Sequence, residues 1–360
     1  MVLLSACATQ PGAEVRTEPG PDTTTTTAAR EAATWPIRVR EHVDLWLHGF
    51  ALLQRDTARV PYFERGYAAR YNALKTSANV LTQIETNRDR LEPRLVSTPA
   101  MVNAQFLALY FGSWEDMTRS IDLTLQVEGD VRRIAEPALQ RAVAVVHAYF
   151  PTAADREWLR IYMMSLRDER DRFWRQWWLQ EQQQRQTALA RLDTLWHDQY
   201  RPRLQRFLGN TRQHTGDFLV ALPLNGEGRT LGSGSGIRIN IVAVGFPPTP
   251  DRAEEAIYVF AHEIISQLAQ TVLEDNLSPA ERRAGLDQQL SSNMLVRGGA
   301  ALLQRAVPEL ADGYARYYLG AANLPVPAAN VQAALASAFP LPQAVSEALV
   351  RQIDIVLAGI

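Results

Sequence analysis

A chain of 360 residues, 46% hydrophobic and 21% charged, is long enough to bury a sizeable core in one or two domains. Its formal charge of -2 gives no general attraction to nucleic acid, and no run of about 18 apolar residues offers a membrane span. The single cysteine, Cys7, excludes an internal disulfide and a CxxC metal site, and the single lysine, Lys75, leaves lysine-based covalent chemistry one candidate.

Residues 1–35 read as a lipobox-like start followed by a disordered tether. Leu4-Ser5-Ala6-Cys7 resembles a bacterial lipobox, in which a signal peptidase cuts before a cysteine that is then acylated. The resemblance implies a signal peptide, a lipid on Cys7, and attachment to a membrane of the bacterial cell envelope through that lipid. Ala8 stands where an aspartate often retains lipoproteins at the inner membrane, which favours the outer one. Only Val2, Leu3 and Leu4 precede the cysteine as apolar residues of a leader, short of an h-region of about 7–15 residues, so a fuller leader upstream is also implied. The other reading is an incidental cysteine. Residues 8–34 are rich in Thr, Pro, Gly and Ala, carry no periodic apolar face, and cannot offset the cost of ordering.

From Trp35 to about residue 210 the pattern is helical. Val39, Val43, Trp46, Leu47 and Phe50 recur at helical spacing. Ser97 and Thr98 ahead of Pro99 suit a capped helix start. A helix is predicted over 130–150 with a bend at Pro137, and a long one from Thr152 with a kink at Pro202. Trp158, Ile161, Met164 (or Ser165), Phe173, Trp177 and Trp178 form an aromatic flank of that long helix, read as core. His42 and His48 sit among Asp44, Asp56, Arg59, Glu64, Arg65 and Tyr67, a density read as a helix hairpin with satisfied ion pairs in preference to a cleft wall. His147 and His197 have no partner at ligand spacing.

After residue 210 the pattern changes. Residues 216–224 and 236–247 read as strands, the second with Ile237, Ile239 and Ile241 alternating against Arg238 and Asn240. Residues 225–236 read as turn material, and the Gly232–Gly236 loop as a flexible hairpin connection because no helix N-terminus follows to hold a phosphate. One helix is predicted over 249–276. Ser278 and Glu281 make a capping box, one or two helices span 293–321, and Val345, Leu349, Ile353, Val356 and Leu357 mark a final amphipathic helix. The expected organisation is a helical domain over 36–210, an α+β unit over 211–325, and C-terminal helices over 326–360 that pack on the body. The fold class is mainly α with a few-stranded sheet packed on the helix that carries His262 and Glu263.

That helix bears the candidate chemistry. His262 and Glu263 are followed, at i+4 from the histidine, by Ser266. Further on, Arg297-Gly298-Gly299-Ala300 begins a second motif. The order strand, His-Glu helix and Gly-Gly-Ala helix over residues 217–310 resembles the gluzincin metallopeptidases. In those, two histidines one helical turn apart and a glutamate from a second helix hold zinc, and the glutamate beside the first histidine is general base. Carried over, the resemblance puts Ser266 in a histidine position and Arg297 in the glutamate position. Serine is a poor zinc ligand and a protonated guanidinium has no lone pair to offer. The resemblance therefore implies a degenerate zincin-like fold, a remnant site of His262, Glu263, Ser266 and Arg297, and no cofactor, with Arg297 as the counter-ion of a buried Glu263.

Two alternatives stay open at this point. His262 and Glu263 can be polar residues of an ordinary amphipathic helix whose buried face is Ile257, Phe260, Ile264, Leu268 and Val272. Or zinc binds through His262 with ligands recruited from elsewhere, His214 being the nearest histidine in the chain, and the protein is an active, divergent metallopeptidase. The expected function is non-catalytic: an envelope lipoprotein that binds a peptide or protein partner in the inherited cleft, by strand addition along 237–244. Arg238, Asn240, Tyr317 and Tyr318 are the candidate binding residues. A purely structural envelope protein is the third possibility, and nucleic acid is not an expected partner.

Overall fold

Among the described residues, four short strands form one mixed sheet in the order β1-β2-β4-β3. The computed structural model describes residues 35–55, 58–232 and 239–359. Cys7 with its lipobox-like motif, the tether, Arg238 and most of the glycine loop lie outside the described residues. Strand β1 (Ile37–Arg38) runs parallel to β2 (Gly216–Ala221), with Ile37 opposite Phe218. Strand β2 runs parallel to β4 (Asn240–Gly245), with Phe218 opposite Val242. Strand β3 (Arg229–Leu231) is antiparallel to β4 at the sheet's edge, with Thr230 opposite Val242. Two of these strands were not expected. β1 has only two residues and a partner far along the chain, and β3 lies in the glycine-rich stretch read as turn. Strand β4 starts at Asn240, later than its alternation suggests, and is interior instead of an edge, so strand addition along it is ruled out by its two neighbours.

The sheet is the middle layer of the molecule. Phe218, Val220, Leu222, Val242 and Val244 point into one core. Leu219, Ala221, Leu231, Ile241 and Ala243 point into a second core on the opposite face. Successive strand side chains face opposite ways, so strands covered on both sides read as continuous apolar runs. The second core is completed by the N-terminal helices: α1 (Glu41–Leu53), α2 (Tyr67–Ser77), α3 (Trp114–Gln126), α4 (Pro137–Tyr149) and α5 (Ala153–Glu169). The first core is completed by α6 (Gln186–Thr194) and the C-terminal helices. These are α7 (Glu254–Ile264), α8 (Ser266–Asn276), α9 (Leu286–Ala306), α10 (Pro308–Ala321), α11 (Val331–Ala338) and α12 (Gln343–Ala358). The protein is thus mainly α with a small mixed sheet. The position near 210 is bridged: β1 belongs to the sheet, and the Trp35 indole donates to the Gln213 carbonyl at 3.0 Å.

Local chemistry explains the helix boundaries. Thr152 and Asp155 form a capping box at the start of α5, as Ser278 and Glu281 do ahead of α9. Pro137 opens α4 in its first turn and does not bend a longer helix, because its missing N–H costs nothing there. The helix expected over 249–276 is two, broken at Ile265, whose side chain lies against Gly298 of α9. Lys75 is buried in an ionic network. Its ammonium lies 2.6 Å from both Glu85 and Glu169 and donates to Thr82 at 2.9 Å, while His48 approaches Glu169 at 3.5 Å. No helix among the described residues is long and apolar enough to cross a membrane.

Candidate functional site

Helix α7 enters the first core on its apolar face, and this carries His262 and Glu263 inward with it; His262 is fully buried. The segment from β2 to β3 brings a third group, Glu227, which stands between Gly226 and Gly228. Both glycines are places of close approach. A Cβ on Gly228 would sit 2.3 Å from the Ala243 carbonyl and 3.1 Å from Glu263 Cγ. Without it, the Gly228 N–H donates to Glu263 Oε1 at 3.1 Å. The Thr230 hydroxyl, in β3, donates to the Glu263 carbonyl at 3.0 Å and reaches its carboxylate at 3.3 Å.

The imidazole of His262 lies between the two glutamates. Nδ1 is 3.0 Å from Glu263 Oε1, and Nε2 is 3.8 Å from Glu227 Oε1 with no hydrogen-bond partner. Tyr318 stacks on the ring, centroids 5.2 Å apart, and its hydroxyl donates to the Gly226 carbonyl at 3.1 Å. One ligand-type atom from each of Glu227, His262 and Glu263 lies within 4.8 Å of the others. Burial opposes a charge on His262, but Glu227 and the bond to Glu263 outweigh it and hold the imidazolium above the usual range.

The cluster adjoins a cavity of about 400 Å³. One wall is the edge strand and its approach, residues 227–230. The other is made by α8 and the first half of α9, including Ser266, Glu274 and Asp287. Its charge is lopsided: Glu227, Glu263, Glu274 and Asp287 face one guanidinium, Arg229.

The expected residues divide. Ser266 lines the cavity beside Glu263, but the helix break at Ile265 separates it from the regular i, i+4 relation to His262. Arg297 is not on Glu263. Its guanidinium donates to the Ala336 and Phe339 carbonyls at 3.3 and 3.4 Å, at the end of α11. Helix geometry explains this: Gly298 faces Ile265, Gly299 faces Tyr314, and each helical residue turns about 100° from the last, which aims Arg297 elsewhere. The Gly-Gly pair thus serves close helix packing. Asn240 is buried, and its side-chain amide donates to the Thr215 carbonyl at 2.8 Å. Tyr317 lines a separate cavity of about 100 Å³ near the ends of β2 and β4. Tyr318 supports the His262 ring from within the core. His214 is exposed beside Trp35 and takes no part in the cluster. Glu227 was missed. Its signal is a carboxylate between two glycines just before a short β-type run, a pattern that also describes a plain turn.

Compared with family models, with curated proteins and with solved structures, the chain finds no match, so the site is read from its own geometry.

Proposed function

We propose that this protein binds an extended, basic peptide segment of a partner in the groove beside β3, without cleaving it. The observation that carries the reading is the edge position of β3. One side of the strand pairs with β4, and residues 227–230 form a wall of the cavity. A strand end open to a groove is the geometry that strand addition uses, with backbone groups supplying affinity and side-chain pockets selectivity. The four carboxylates along the groove select for lysine or arginine in the guest, and Asp287 Oδ1 is buried there with no hydrogen-bond partner.

The absence of turnover follows from Glu263. In the resemblance to gluzincins this residue would be the general base. Here its carboxylate is occupied by the Gly228 N–H, the Thr230 hydroxyl and the His262 ring. The order of strand, His-Glu helix and Gly-Gly-Ala helix supports a zincin-like origin for the groove, and Leu4-Ser5-Ala6-Cys7 supports placement at a bacterial envelope, lipid-anchored on the outer membrane.

The test is fluorescence anisotropy with short labelled peptides, some lysine-rich and some glutamate-rich, and a lysine-rich one N-methylated at alternate amides. The lysine-rich peptide should bind intact. N-methylation and the double variant Glu274→Lys, Asp287→Lys should each weaken it at least tenfold. Equal affinity for all three peptides, or peptide cleavage, would sink the proposal.

A further inference from the structure

We infer that Glu227 and His262, with Glu263 behind them, form a site for one divalent cation of the zinc type at the inner end of the groove. The inference does not depend on a peptide occupying that groove.

The decisive observation is a distance. His262 Nε2 and Glu227 Oε1 are 3.8 Å apart. That is too long for a hydrogen bond, which spans about 2.7–3.2 Å. It is close to the separation of two ligands on one tetrahedral ion, since bonds of about 2.0–2.1 Å to nitrogen and 2.0–2.2 Å to oxygen place the donors roughly 3.4 Å apart. The gap thus needs only a small contraction to hold an ion. Nε2 is also fully buried and unpartnered, a state that buried polar atoms rarely keep without a reason.

The surroundings prepare the ring for this role. Glu263 Oε1 engages Nδ1 at 3.0 Å and keeps a proton there, so the proton an incoming ion displaces is the one on Nε2, whose lone pair then serves as the ligand. Tyr318 fixes the plane of the ring by stacking, and through Gly226 it also fixes the segment that carries Glu227. Glu263 is in turn held by Gly228 and Thr230. The ligands are therefore set in advance, and Glu263 is a positioning residue. Glu227 also lines the cavity, so water or a guest carbonyl reaching it from that side would complete the shell. An imidazole with a carboxylate suits zinc-like ions better than calcium or magnesium, which prefer all-oxygen shells. The ligand set differs from the one the resemblance implied: Glu227 precedes β3, and neither Ser266 nor Arg297 takes part.

The experiment is titration of the chelator-stripped protein with Zn²⁺ by calorimetry, repeated with Co²⁺ while the visible absorption of the bound ion is followed. Wild type and the distant surface control Glu157→Gln should each bind one equivalent, with Co²⁺ giving a ligand-field band. Glu227→Gln and His262→Gln should weaken binding at least 100-fold, and Glu263→Gln about 10- to 100-fold while altering the Co²⁺ band. Circular dichroism identifies any variant that fails to fold; Glu227→Gln is near-isosteric and carries the test in that case. No stoichiometric Zn²⁺ in wild type, or unchanged affinity in a folded Glu227→Gln, would overturn the inference.

Discussion

The carboxylate of Asp44, on α1, accepts the backbone N–H of Leu222, just past the end of β2, at 3.0 Å. The Trp178 indole donates to its other oxygen at 2.7 Å, so one buried side chain ties the N-terminal helices to the sheet. Burial pushes its pKa up to about 7 from the ordinary 3.8, against the two hydrogen bonds.

A raised carboxyl has a definite sign in stability. Between about pH 4 and pH 7 the unfolded chain has released this proton and the folded chain has kept it. The folded state binds more protons, so the contribution of Asp44 to stability falls as pH rises through that window. Urea denaturation of wild type and Asp44→Asn across this range should show the difference, wild type minus variant, declining by roughly 4 kcal/mol. A flat difference would place the Asp44 pKa near its ordinary value.

Lys75 and Glu169 make the opposite case. Burial opposes ionisation of Glu169, yet the nearby His48 ring and the Lys75 ammonium outweigh it and hold the carboxyl at about 2. The stability this supplies is present above about pH 4.5 and is lost as pH falls toward 2. Lys75→Met leaves Glu169 without its cation and should cost about 3–5 kcal/mol at neutral pH. Lys75→Met with Glu169→Gln should recover a large part of that loss, read from the same urea curves. Failure of the second change to rescue the first would show that the two do not act as a pair.

Arg297 separates two accounts of the groove. As a donor to the Ala336 and Phe339 carbonyls it contributes ordinary hydrogen bonds. Arg297→Ala should therefore cost about 1 kcal/mol. A counter-ion of buried Glu263 would cost about 3–5 kcal/mol when removed. A thermal melt gives the answer, and a loss in the upper range would mean that Arg297 reaches Glu263 in solution.

What the sequence disclosed depended on how local the cause was. The strands read at 216–224 and 236–247 were legible from their β-type residues, the second through an alternation over 237–241 that lies largely ahead of the observed β4. The capping box at Ser278 declared its helix within four residues. The burial of Glu263 was expected from the resemblance, whereas the amphipathic pattern of α7 alone left His262 and Glu263 open as polar residues outside its apolar face, which is nearly complete without them. Strand β1 was hidden because two residues carry no periodicity and its partner lies near 218. Strand β3 was hidden by the glycines around it, and those glycines are there because Gly228 passes close to Ala243 and Glu263. Glu227 and Arg297 both depended on which way an element turns in space. The first was overlooked and the second misassigned for that one reason.

The place of the sheet between two cores has a consequence for biosynthesis. The N-terminal helices rely on Leu219, Ala221, Ile241 and Ala243 to close their core, and β1 waits for residue 218 before it can pair. Until β2 and β4 arrive, these helices stand with one apolar side uncovered. Pairings so distant in sequence slow folding and expose such intermediates to aggregation. The first half of the chain is therefore the part most open to aggregation until the central strands cover it.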